Sequence, residues 1–64
     1  MKINGEEATF QKGTKLNEFL KSQGYDLSKV AVECNGEIIP RDFYNKHELN
    51  DNNSYEIVVF VGGG

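Results

Sequence analysis

Sixty-four residues make at most one small domain, which buries only ~60% of the surface its unfolded chain exposes. Its 38% apolar content, with four Phe, three Tyr and no Trp, predicts a thin core without the walls a self-contained enzyme pocket needs. Seven Lys and Arg against ten Asp and Glu give a net charge of −3 with no basic run, which sets nucleic acid aside.

No segment approaches the ~20 apolar residues of a membrane span. The single Cys cannot form an internal disulfide, and small secreted domains usually rely on several. The start, Met1-Lys2-Ile3-Asn4-Gly5, turns polar at once and predicts no signal peptide. These features together predict a cytoplasmic protein.

In chain order, Asn4-Gly5 separates residues 1–3 from residues 6–11, and Asn35-Gly36 separates residues 30–34 from residues 37–39. Asn-Gly between short β-prone runs predicts a hairpin, because both turn residues must tolerate positive φ. A helix is predicted between the hairpins. Thr14 is its expected N-cap, Leu16, Phe19 and Leu20 share one face, and Gly24 ends it. Asn17 stands where a capping box would place Glu or Gln. The helix is too short to persist alone, so its apolar stripe must pack on the sheet.

A short helical turn is expected within 42–48 and a polar turn at 50–54. The last strand spans 55–61. Its alternation puts Tyr55, Ile57, Val59 and Val61 on one face and Glu56, Val58 and Phe60 on the other. Apolar residues on both faces predict a central strand. The order is α+β, one helix across a small mixed sheet. If the last strand lies parallel to the first, the arrangement is a β-grasp. The expected division is a single domain over 1–61 and a flexible glycine tail over 62–64.

Gly62, Gly63 and Gly64 have no side chains. Three extended residues reach ~10 Å and fit a narrow channel that needs close backbone approach. Chemistry on such a tail falls on the Gly64 carboxylate, a poor electrophile until an ATP-using partner makes it an acyl-adenylate. A frayed end and a reactive terminus stand level on the tail alone.

Other residues admit weaker readings. Cys34 precedes a tight turn with no neighbouring His and reads as a buried, unreactive thiol. His47 lies in a polar stretch and reads as a solvated surface group, not a metal ligand. Asp42, Glu48 and Asp51 lack calcium-loop spacing and its central Gly, so no metal site is expected. With Ile57, Val59 and Val61 facing the helix, Val58 and Phe60 face outward as a docking patch. Val61, beside the tail, and Arg41 complete the partner-binding candidates. Arg41 is open to either an acidic partner surface or a weak surface ion pair. Pro40 ends a strand because it has no N–H for the ladder.

The segments Asn35-Gly36-Glu37-Ile38-Ile39-Pro40-Arg41 and Tyr55-Glu56-Ile57-Val58-Val59-Phe60-Val61-Gly62-Gly63-Gly64 resemble the ThiS family, sulfur carriers of thiamine biosynthesis within the wider ubiquitin-like ThiS/MoaD group. The resemblance covers essentially the whole chain. Asn52-Asn53-Ser54 departs from it, standing where the family has a Gly-Asp turn.

The resemblance implies a protein co-substrate, not an enzyme. A ThiF-like adenylyltransferase would use ATP and Mg²⁺ to adenylate Gly64. Sulfur from a cysteine desulfurase or another persulfide source would make a thiocarboxylate. A ThiG-like thiazole synthase would take that sulfur into the thiazole ring. The resemblance implies no stably bound cofactor and a monomer when free. The alternatives are a molybdopterin synthase small subunit, a ubiquitin-like protein modifier, and an interaction module with an inert tail.

Overall fold

Two Asn-Gly turns shape the sheet from its two sides. Asn4 and Asn35 adopt φ of 51° and 52°, followed by Gly5 at 84° and Gly36 at 86°, the pair of positive φ values that a tight two-residue hairpin requires. They join β1 (Lys2–Ile3) to β2 (Glu6–Glu7), and β3 (Val30–Cys34) to β4 (Glu37–Ile38). The computed structural model describes residues 1–61. The tail read from the sequence at 62–64 lies outside the described residues.

The last strand, β5 (Ser54–Val59), runs through the middle of a five-stranded sheet of order β2-β1-β5-β3-β4. It is parallel to β1 and antiparallel to β3, as the two-sided apolar pattern predicts. The parallel β1–β5 pair needs a crossover, and the helix lies within it. This is the β-grasp arrangement. The edge strands β2 and β4 are only two residues long, a common way to leave little edge for foreign pairing.

Both turn asparagines also reach β5. The Asn4 side chain accepts from the Ile57 N–H at 2.7 Å and donates to the Ile57 carbonyl at 3.4 Å. It thus extends the β1–β5 ladder beyond Ile3. The Asn35 side chain accepts from the Ser54 N–H at 3.0 Å and donates to the Asn53 amide oxygen at 3.0 Å. The two hairpins are therefore tied to the central strand by the residues that turn them.

The helix α1 (Leu16–Ser22) buries Leu16, Phe19 and Leu20, the three residues of the predicted stripe. Its N-cap is Lys15, not the expected Thr14. The Thr14 hydroxyl is engaged by the Gln11 carbonyl instead, and Glu18 at the third helical position accepts from the Lys15 N–H at 2.9 Å. The carboxylate half of a capping box is thus present after all, supplied by Glu18 because the N-cap lies one residue later than expected. At the other end Gly24 takes φ 85°. The N–H groups of Gly24 and Tyr25 donate to Lys21 and Leu20 carbonyls, the paired bonds of a Schellman stop.

Leu16, Leu20, Val30, Val32 and Tyr55 have essentially no exposed surface. Burying each aliphatic side chain contributes about 1.5–3 kcal/mol. The irregular segment after β4 supplies the remaining wall. A 3₁₀ turn at Arg41–Phe43 begins one residue before the expected helical span and is shorter than it. Ile39, Tyr44 and Leu49 all enter the core.

Candidate functional site

The site is built on β5, whose two ends live in different surroundings. At its start, Tyr55 is held on three sides. Its hydroxyl lies 2.8 Å from His47 Nε2 and accepts from the Asn53 side-chain amide at 3.0 Å. The His47 ring meets it edge-on, 5.6 Å between centroids at 87°. Burial pushes the Tyr55 hydroxyl pKa up and pulls the His47 pKa down. His47 is therefore a half-buried partner of a core tyrosine, which corrects its reading as a solvated surface group. The spacing of eight residues to Tyr55 across a turn carried no local signal of this contact.

Cys34 stands opposite Tyr55 in the β3–β5 register and is half-buried. Burial pushes its thiol pKa up, away from the thiolate that nucleophilic chemistry requires. It lines a cleft of about 600 Å³ together with Ile38, Phe43 and His47. Among the described residues no three His, Cys, Asp or Glu side chains gather as a metal site. Glu48 pairs with Lys15 at 3.7 Å, and Asp51 accepts from the Met1 ammonium at 2.7 Å.

Past Ile57 the strand emerges. Val58 is 51% exposed and Phe60 46%, so both face outward as the alternation predicts. Opposite Val58 across the ladder is Ala31, which widens the apolar strip. Val59 is 54% exposed and Val61 97%, which corrects the expectation that both face the helix. Val30, the register partner of Val59, is fully buried while Val59 is not, so the core at this level ends on β3. The last ladder bond runs from the Phe60 N–H to the Lys29 carbonyl at 2.7 Å. Val61 follows, and Gly62, Gly63 and Gly64 lie outside the described residues.

Arg41 is placed close to this end. Val32 accepts from the Ile39 N–H, Pro40 has no N–H to continue the pattern, and the Arg41 guanidinium takes over. It donates to the Val30 carbonyl at 3.0 Å and to the Leu27 carbonyl, with its charge 5.9 Å from the Tyr44 ring centre. Val30 in turn faces Val59. Within the domain Arg41 thus serves as an exposed side-chain extension of the ladder, and no carboxylate pairs with it among the described residues. The structure brings Val58, Phe60, Val61 and Arg41 to the same end of the sheet and keeps Cys34 and His47 at the other end of β5. No helix among the described residues is long and apolar enough to cross a membrane.

Comparison with known proteins places this geometry. Residues 1–64 match the ThiS family along their whole length. The chain is 38% identical to the sulfur carrier protein ThiS of Bacillus subtilis over 65 aligned positions, covering all of this chain and 98% of that one. It is 45% identical over 62 residues to a thiazole synthase of Paramagnetospirillum magneticum, and there it spans 97% of itself but only 19% of the relative. The crystal structure of the thiamine biosynthesis protein ThiS from Geobacter metallireducens superposes with a TM-score of 0.80 at 27% identity, covering 98% of this chain and 96% of that one. A central strand leading to terminal glycines, in this fold and across this full-length match, makes the chain a member of the ThiS family of sulfur carriers.

Proposed function

We propose that the domain carries sulfur on the Gly64 carboxylate for thiazole formation in thiamine biosynthesis. The observation that carries this reading is the family match, which runs through the terminal glycines and leaves no part of the chain over. The carboxylate would attack the α-phosphate of ATP, with Mg²⁺ at an adenylating partner of the ThiF type, and pyrophosphate would leave. A persulfide sulfur, from a cysteine desulfurase or an equivalent donor, would then attack the acyl-adenylate and expel AMP. A thiol cleaves the resulting acyl disulfide and frees the thiocarboxylate.

In this reading the chain is a co-substrate. It supplies a carboxylate and a docking face, while ATP and Mg²⁺ are bound by the partner. The consumer of the sulfur is a thiazole synthase. That choice is favoured by the two thiazole synthase relatives, from Paramagnetospirillum magneticum and Magnetococcus marinus, in which a segment like this chain makes up 19% of a longer protein. The molybdopterin and protein-modifier alternatives use the same terminal activation and differ only in the acceptor. Val58, Phe60, Val61 and Arg41 are the proposed contacts with the adenylating partner, and the free domain is proposed to be a cytoplasmic monomer.

The test is reconstitution. The protein is mixed with a ThiF-type enzyme, Mg-ATP and sulfide, and its intact mass is read. Exchange of one terminal oxygen for sulfur is the expected result. An unchanged mass, with the enzyme active on its own carrier, overturns the proposal.

A further inference from the structure

The outer face of the sheet carries a charge arrangement that the fold itself does not use. Glu33 and Glu56 are register partners on the two most central paired strands, β3 and β5. Tyr55 and Ile57 point into the core, so Glu56 points outward, and Glu33 shares that face with it. Like charges directly opposite each other on a sheet destabilise it. Neither carboxylate has an ion-pair or hydrogen-bond partner among the described residues. Lys2 lies on the same face, opposite Ser54 on the other side of β5, yet it forms no ion pair with Glu56. Beyond the inward-facing Val32–Ile57 pair, the next register pair on this outer face is Ala31 with Val58, and Phe60, of the same parity, follows just past the end of β5.

We propose that this face docks a partner surface presenting an arginine or lysine beside an apolar side chain, with the cation between Glu33 and Glu56 and the apolar group on Ala31, Val58 and Phe60. The inference rests on the carrier reading only in taking that partner to be the adenylating enzyme. A cation placed between the two carboxylates relieves their repulsion. The apolar strip next to them excludes water and strengthens the attraction. Glu56 on β5 and Phe60 just past its end are four residues apart, ~13 Å of extended chain. A partner that holds both points fixes the direction in which β5 runs towards its C-terminal end. An apolar patch alone would not fix that direction.

The test measures association and dissociation of the full chain with a ThiF-type enzyme over about 0.05–0.3 M salt. The Glu33→Gln/Glu56→Gln double variant should associate about tenfold more slowly at low salt and lose most of the salt dependence. Its melting temperature should stay level or rise, because a repulsion has been removed. Glu56→Lys should weaken binding further. Wild-type rates and salt dependence in the double variant overturn the inference, as does a drop in its melting temperature. Val58→Ser separates the two levels of the argument. If it weakens binding while the double variant does not, the face docks through its apolar strip and the charge inference fails alone. The carrier reading is judged independently by the mass exchange described above.

Discussion

The two halves of β5 differ in what holds them. Tyr55 and Ile57 are buried, and side chains of both hairpin turns and of the 41–53 segment bond this half of the strand: Asn4 at Ile57, Asn35 at Ser54 and His47 at Tyr55. Val58 and Val59 at the end of β5 are exposed, as are Phe60 and Val61 beyond it, since the strand stops at Val59 short of the expected 61; the Phe60 N–H to Lys29 bond is the last rung. One strand thus serves as the centre of the fold in its first half and as an open, apolar platform in its second. In a domain this small, with ~3–5 kcal/mol to spare, exposed Val and Phe at the end of a central strand bury little and add little to stability.

Substitutions along the strand can break that comparison. Tyr55→Ala should cost about 3–5 kcal/mol, enough to unfold the domain, and far-ultraviolet circular dichroism at 25 °C would show it. A cooperative melt near the wild-type temperature would remove Tyr55 from its central role. One step smaller, Ile57→Ala should cost about 2–5 kcal/mol, while its neighbour Val58→Ala should stay within about 0.5 kcal/mol. Urea midpoints of the pair give the contrast directly, and equal losses would mean that the two halves are not distinct.

Removing single hydrogen bonds sharpens the picture. Tyr55→Phe keeps the ring but drops the bonds to His47 and Asn53, and Asn4→Ala drops those to Ile57. Each should cost about 1–2 kcal/mol by denaturant titration, and a neutral Asn4→Ala would mean that the β1–β5 ladder does not need its side chain. The smallest effect is in pH. Burial holds the His47 pKa below its ordinary value, so the unfolded chain binds the proton more readily than the folded one. Its stabilisation is present above the ordinary histidine pKa of ~6.5 and is lost as pH falls through that value towards the folded one. The urea midpoint should decline on acidification from about pH 7.5 to 5.5, and His47→Gln should flatten that part of the curve. An unchanged slope in the variant would assign the pH dependence to other groups.

Much of this was legible in the sequence where local chemistry decides. The Asn-Gly turns, the Leu16/Phe19/Leu20 stripe, Gly24 and the central position of β5 all follow from positive φ or from periodicity. The misses came where tertiary contact decides. Val59 has the parity of Ile57, but the core at its level ends on Val30 of β3, and Val61 lies past the end of the strand, which closes at Val59 and not at 61. His47 looked solvated because its partner, Tyr55, lies across a turn that polar composition alone could not fold. Lys15 displaced Thr14 as N-cap because Glu18 meets the Lys15 N–H. Of the candidate site, the outward placement of Val58 and Phe60 was readable from parity. The ladder role of Arg41 was not, since it depends on how the chain after Pro40 returns to β3.

The fold should be complete without the tail, and the proposed sulfur chemistry should need the tail's terminal carboxylate. Ending the chain at Gly62 tests this most directly, with a thermal melt and an intact mass after incubation with the adenylating enzyme, Mg-ATP and sulfide. The account predicts a melt equal to that of the full chain and no sulfur in the product. Sulfur loading at the full-length level on the shortened chain would contradict it.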